Sequence, residues 1–256
     1  MYGIITLLLT IGEGTNTMKT VVFHYKKGGV GKTSISLNVC GYKALKYKCL
    51  YLDIDEQRNS TSTLQKESVR DEHTIYDVLT HKANIKDAIK ESRFNNIDYI
   101  PGSLKATGIN ADKLELKKLF QEIYSQYDYI FIDTPASSNL STVQSAIVSS
   151  DVVVIPSILD SYSSANLMNV VGQVRKLNTN TEIIIAPNRY VKRSKLFNSV
   201  LRDLKEYLSG KDYVRLVKPL PDSIEITNQI AEDKLLVYSG QFNKLKNSIK
   251  KLSGEV

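Results

Sequence analysis

Short, almost wholly apolar runs recur along the chain and set the strongest limit on what it can fold into. They cover Thr20–Tyr25, Cys49–Ile54, Ile97–Ile100, Tyr129–Ile132, Val152–Pro156, Glu182–Ala186 and Val214–Lys218. Near-continuous runs such as Ile130-Phe131-Ile132 and Val152-Val153-Val154-Ile155 are the pattern of strands buried on both faces, since a strand with one wet face alternates polar and apolar side chains. Between them lie amphipathic stretches, Ser34–Lys46, Lys113–Tyr124, Ser164–Lys176 and Lys195–Leu208, which read as helices. Strands alternating with helices predict an α/β fold, a single domain with a mostly parallel sheet covered by helices on both faces. Ligands of such sheets bind beyond the C-terminal ends of the strands.

One domain over residues 18–252 is the simplest division of a chain of 256 residues that is 42% hydrophobic. Residues 1–17 look unlike the rest. Met18 opens the run Met-Lys-Thr-Val-Val-Phe that leads into the first strand, so the preceding segment reads as an upstream start or a disordered tail rather than a membrane-touching tip. Its apolar run, Ile4–Ile11, is far shorter than the roughly 18 residues that would mark a transmembrane helix, and it lacks the basic leader of a secretory signal. Cys40 and Cys49, the only cysteines, form no metal-ligand pattern, and a reducing cytoplasm fits them.

The first run leads into Lys26-Lys27-Gly28-Gly29-Val30-Gly31-Lys32-Thr33-Ser34, followed by a helical pattern. Glycines let backbone N–H groups converge on phosphates, and a helix N-terminus adds positive potential. Lys32 can then reach the outer phosphates and the Thr33 hydroxyl can bind Mg2+. A glycine-rich loop alone is weak evidence, whereas Gly-Lys-Thr between a buried strand and a helix is specific.

The general phosphate-loop pattern asks for glycine at position 26, where this chain has lysine with a second lysine following. Lys27-Gly28-Gly29-Val30-Gly31-Lys32-Thr33 resembles the deviant Walker A motif of the ParA/MinD family, which includes DNA-partition ATPases, division-site ATPases and iron-protein relatives. The resemblance runs from about Met18 to Leu252. It implies an ATP- and Mg2+-dependent homodimer with two nucleotides between the subunits, in which Lys27 reaches the partner's nucleotide. The nucleotide contacts it implies are Lys27, Gly28, Gly29, Val30, Gly31, Lys32, Thr33 and Ser34.

Carboxylates follow two later strands. Leu52-Asp53-Ile54-Asp55-Glu56-Gln57 is similar to the family's Asp-x-Asp-Pro-Gln, which implies that Asp55 activates or positions water and that Asp53 supports the Mg2+ shell. Glu56 stands for the usual proline and Arg58 for the usual glycine. The fourth predicted strand ends Tyr129-Ile130-Phe131-Ile132-Asp133-Thr134-Pro135. A carboxylate leaving a hydrophobic strand beside a phosphate loop is well placed to hold Mg2+, so Asp133 joins Thr33 and Asp53 as a metal candidate. Ile185-Ala186-Pro187-Asn188-Arg189 and Leu220-Pro221-Asp222 fall where relatives contact the adenine, which implicates Asn188 and Pro221. An asparagine after a strand is also an ordinary turn residue.

Charge and motif content sort the members of the family. The cysteines are misplaced for a cluster-carrying electron carrier, and only Tyr238 of the 15 tyrosines follows Tyr213, against a tyrosine kinase with a C-terminal tyrosine cluster. A membrane-bound positioning ATPase would need a C-terminal interfacial helix. Phe242, Leu245, Ile249 and Leu252 form an apolar stripe with Lys244, Lys246, Lys250 and Lys251 around it, yet such a stripe more often packs on a domain. Arg189 to Lys218 holds nine basic residues against three acidic ones, and Gln241 to Lys251 adds four lysines without an acid, together +10 in a chain whose formal charge is +7. That asymmetry suggests a polyanionic partner. The resulting expectation is a cytoplasmic, nucleoid-associated partition ATPase that binds nonspecific DNA when ATP-bound and answers to a ParB-like centromere-binding adaptor, with membrane binding the less favoured alternative. An ATP-dependent scaffold with little hydrolysis is the other alternative, which retention of Asp55, Lys32 and Asp133 opposes.

Overall fold

A computed structural model describes residues 18–66, 72–137, 139–160 and 163–256; the expected extension over residues 1–17 lies outside them. In chain order the elements are β1 (Lys19–Phe23), α1 (Lys32–Lys43), β2 (Cys49–Asp53), α2 (Asn59–Leu64), α3 (Ile75–Leu79), α4 (Ile85–Ala88), β3 (Lys90–Glu91), β4 (Ile97–Ile100), α5 (Glu115–Gln121) and β5 (Tyr129–Asp133). Then come α6 (Ser141–Val148), β6 (Val152–Ile158), α7 (Ser163–Leu177), β7 (Glu182–Asn188), α8 (Lys195–Leu208), β8 (Val214–Leu216), α9 (Glu225–Ala231) and α10 (Asn243–Glu255). All seven expected strands are present. The two-residue β3 is an addition, and it makes the Asp133 strand the fifth.

The sheet has the order β3-β4-β2-β5-β1-β6-β7-β8, parallel throughout except for the antiparallel β3–β4 edge pair. The chain passes outward from β1 through β2 and β4, returns through β5, and continues on the other side through β6, β7 and β8. β1 therefore sits where the winding reverses, the position at which α/β sheets bind ligands.

Both faces are buried, as the continuous apolar runs require. Val22, Leu50, Leu52, Ile130, Ile132, Val153 and Ile155 pack with Leu116, Val143, Leu167, Val170, Phe197 and Val200 from α5 to α8. The alternate residues Val21, Phe23, Tyr51, Phe131, Val152 and Val154 pack on the other face with Ile35 and Val39 of α1 and with Leu245, Ile249 and Leu252 of α10. Period-2 alternation along each strand divides the two cores.

Local chemistry explains several boundaries. The Ser194 side chain accepts the Phe197 N–H and starts α8, whose Phe197, Val200, Leu204 and Leu208 recur on one helical face and are buried. The helices that the sequence pattern did not single out, α2, α3, α4, α6 and α9, run four to eight residues, too short for a helical period to declare itself. β6 and β7 continue past Pro156 and Pro187, pairing Ser157 with Pro187 and Ile158 with Asn188. That extension carries Asn188 up to the level of the loop after β1.

The stripe on α10 faces the domain. Leu245, Ile249 and Leu252 are at most 6% exposed, and Arg215 binds the Glu255 side chain and backbone carbonyl while also engaging Glu182 on β7. Lys19 Nζ donates to the Val256 carbonyl at 3.2 Å. No helix among the described residues is long and apolar enough to cross a membrane.

Candidate nucleotide site

The loop from Lys26 to Gly31 leaves the central strand β1 and enters α1, the long helix on the α10 face. Gly29 and Gly31 have φ of 71° and 98°, the left-handed region that costs a side chain heavily. Gly31 is under a second constraint, because a Cβ there would lie 2.7 Å from Asn188 Nδ2. Val30 is buried and anchors the loop in the core, while Lys27, Gly28 and Gly29 are exposed.

Asn188 and Val30 are joined directly. Asn188 Nδ2 donates to the Val30 carbonyl at 2.9 Å, so the asparagine braces the loop and leaves its carbonyl oxygen as the atom that a base could use. Pro221 reaches the site through a parallel bridge with Tyr190, in which Tyr190 N donates to Leu220 O and Asp222 N to Tyr190 O. Asn188 and Pro221 thus line one cleft of about 710 Å³ together with Gly28, Gly29, Gly31, Lys32, Thr33, Ser34 and Asp55. Ile226, Thr227 and Ile230 of α9 line its far wall. These three escaped the sequence reading, since α9 has seven residues and none of them is buried.

Beneath the loop, the first turn of α1 meets the end of β5. Thr33 Oγ1 donates to Asp133 Oδ2 at 2.6 Å, and Asp133 Oδ1 is buried without a hydrogen-bond partner among the described residues. Burial and the neighbouring Asp53 push the Asp133 carboxyl well above the usual carboxylate range, against the pull of Thr33 and Lys32. Lys32 is itself buried, which lowers its ammonium pKa, while Asp133 and Asp55 oppose that shift. A buried carboxylate oxygen without a partner is costly. Its setting fits a Mg2+ ion, which takes oxygen ligands and is commonly held by one or two carboxylates with phosphates and water. No group of three or more His, Cys, Asp or Glu among the described residues forms a metal cage.

The two aspartates after β2 have different surroundings. Asp53 is 1% exposed; its Oδ2 accepts from Thr61 N at 2.9 Å and Thr61 Oγ1 at 2.7 Å, and its Oδ1 from Asp55 N at 3.1 Å. Burial raises its pKa, and the Thr61 bonds oppose the rise. Asp53 lies opposite Asp133 in the β2–β5 ladder, so it borders the Thr33–Asp133 pair with its own oxygens turned to the Thr61 turn. Asp55 is half-buried and lines the cleft, and its carboxylate accepts a local bond from Gln57 N at 3.0 Å. Arg58, in the family's glycine position, adopts φ 55°, a left-handed conformation that glycine takes more readily than a residue with a side chain.

Lys27 stands apart from the cleft. Its Nζ is 2.9 Å from Asp160 Oδ2, in a pair whose side chains are 57% and 36% exposed.

A glycine loop at the end of the central strand, a lysine and threonine opening the following helix, and a carboxylate on the neighbouring strand define the class of P-loop nucleoside triphosphatases. The AAA domain family matches residues 18–186. The sporulation initiation inhibitor protein Soj of Bacillus subtilis is 30% identical over 232 residues, covering 86% of this chain and 90% of that protein. The chromosome-partitioning ATPase Soj of Treponema pallidum is 30% identical over 78% of this chain and 82% of its own length. Among solved structures, the ATP complex of a point variant of Cyanothece McdA superposes with a TM-score of 0.81 at 20% identity, over 93% of this chain and 96% of that one. The chain belongs to the ParA/MinD family of P-loop ATPases.

Proposed function

We propose that this chain is an ATP hydrolase of DNA partitioning, which dimerises on MgATP, binds DNA without sequence preference and is stimulated by a ParB-like centromere-binding adaptor. The observation that carries the nucleotide chemistry is the Thr33–Asp133 bond at 2.6 Å beside an Asp133 Oδ1 that has no partner among the described residues. In this reading Thr33 and Asp133 hold Mg2+, which would offset charge on the phosphate oxygens, and Asp53 supports them from the adjacent strand. The loop from Lys27 to Ser34 cradles the phosphates with its N–H groups, and Lys32 faces their charge. Asp55, half-buried and committed to a local N–H, orients the attacking water and takes its proton. Asn188 offers its carbonyl oxygen to the adenine amino group, and Pro221 packs against the ring.

Lys27 acts in the partner's site, leaving Asp160 as the dimer closes. Partition is favoured over membrane positioning because the apolar stripe of α10 is buried in the domain, whereas Lys192, Arg193, Lys195, Arg202 and Lys205 are exposed before and along α8. Phosphate contacts from such residues need no base-reading element. The test is cosedimentation of the protein with duplex DNA and, separately, with anionic liposomes, each with ATP and with ADP. ATP-dependent capture on DNA is the expected result; capture on liposomes alone would replace partition with membrane positioning.

A further inference from the structure

Between the phosphate loop and the Asp133 strand lies a buried histidine to which neither the motifs nor the proposed chemistry assigns a task. His24 directly follows the central strand β1, and its side chain is fully buried. Its backbone N–H donates to Val154 O on β6 at 3.0 Å, and its ring Nδ1 lies 2.9 Å from Thr134 Oγ1. Thr134, also fully buried, in turn donates its hydroxyl hydrogen to Phe23 O at 2.9 Å. A carbonyl can only accept, so the one hydroxyl hydrogen is committed and His24 Nδ1 must be the donor to Thr134. A neutral ring in this position therefore carries its proton on Nδ1. Burial, with help from Lys32 and Lys26, holds its pKa down at about 3.

We infer that His24 is a positioning residue for the metal ligand Asp133, acting through Thr134 to fix where β5 ends. Resting on the MgATP reading above, the inference adds a residue to it. Thr134 follows Asp133 directly, and its hydroxyl is held from two sides by the end of β1. With those bonds in place the Asp133 backbone has a fixed height relative to Thr33, which opens the helix on the same β1 loop. The Thr33–Asp133 spacing is thus set from both ends by residues flanking one glycine loop. Without the His24 donor, Thr134 keeps its bond to Phe23 O but loses the second restraint, and the Asp133 carboxylate is free to tilt. Groups that orient metal ligands from behind commonly alter metal affinity by about 10–100-fold when removed.

The test reads nucleotide binding calorimetrically, with and without Mg2+, so it does not depend on turnover. In the wild type Mg2+ should tighten ADP binding; if it does not, the MgATP reading falls and this inference with it. His24→Leu should bind Mg2+-free ADP as the wild type does and lose roughly tenfold or more of the Mg2+-dependent tightening. His24→Asn places an amide N–H where Nδ1 stands and should restore it, which separates donation to Thr134 from mere filling of space and keeps the test valid should His24→Leu not fold. Thr134→Val should reproduce the loss, and adding His24→Leu to it should change little, because both act along one path. Unchanged Mg2+ tightening in folded His24→Leu, failure of His24→Asn to restore it, or additive losses in the double variant would each overturn the inference while leaving the wild-type result, and the ATPase reading, intact.

Discussion

Thr33 Oγ1 and Asp133 Oδ2, a hundred residues apart in sequence, are joined by a 2.6 Å hydrogen bond. The bond ties the first turn of α1 to the end of β5 and leaves the other Asp133 oxygen buried and, among the described residues, without a partner. Lys32→Ala removes the positive charge that lies beside this pair, and it should abolish tight MgATP binding. Thr33→Val should spare Mg2+-free nucleotide binding and lose most of the Mg2+ effect. Calorimetry with and without Mg2+ checks both, and wild-type affinity in Lys32→Ala would count decisively against the phosphate-loop assignment.

Asp55 lines the cleft and, among the described residues, its carboxylate is hydrogen-bonded only within its own turn, so its removal should leave the cradle and the fold in place. Asp55→Ala is expected to bind ATP, to hydrolyse it at least about a hundredfold more slowly, and to accumulate as a dimer. Steady-state phosphate release together with light scattering tests this, and normal turnover would remove Asp55 from the mechanism.

Lys27 and Asp160 form a largely exposed pair, and such pairs contribute about 0–1 kcal/mol. Lys27→Ala should therefore melt within about 1 kcal/mol of the wild type and still bind ATP, while ATP-dependent dimerisation or hydrolysis is lost. An unchanged ATP-dependent dimer with unchanged turnover would show that Lys27 does no work in the partner's site.

The basic segment divides into two groups with different expected phenotypes. Lys192 and Arg193 are exposed, and neutralising both should flatten the dependence of log affinity for DNA on log salt by roughly one to two units. Arg215 is engaged with Glu182 and Glu255, so Arg215→Ala should leave that slope alone and loosen the seat of α10, at a cost on the order of 1 kcal/mol. Salt titrations of DNA binding with ATP and with ADP, paired with urea melts, separate the two groups. Equal slopes for the wild type and the double variant would exclude Lys192 and Arg193 from the DNA surface.

His24 also leaves a signature in acid. Its folded pKa is lowered from 6.5 to about 3, so between these values the unfolded chain binds a proton that the folded chain refuses. The contribution to stability is fully present above pH 6.5 and is lost as pH falls, by about 1.4 kcal/mol per unit within that window. Urea midpoints across pH 4–7 should show the wild type losing stability relative to His24→Asn at about that rate. A gap that does not change with pH would mean that the ring is charged, or free to charge, in the folded state.

The sequence by itself determined the layered fold and the heart of the nucleotide loop. Strand runs buried on both faces leave a short-range record, because every residue in them must be apolar, and Gly28 to Thr33 is a contiguous motif whose conformation is set by its own glycines. Asp133 was legible for the same reason, being the first charged residue after such a run. Strand order, the division of each strand between two cores and the seating of the α10 stripe against α1 were settled by packing. An amphipathic stripe records only that one side is apolar, and the neighbour that covers it comes from elsewhere in the chain. The bonds from His24 to Thr134, Lys27 to Asp160 and Asn188 to Val30 span 110, 133 and 158 positions of sequence. The arrival of Pro221 through Tyr190 and the Ile226–Ile230 wall of the cleft are likewise products of the assembled fold. No local pattern encodes these contacts, because each exists only where the sheet order brings the ends of β1, β5, β6 and β7 side by side.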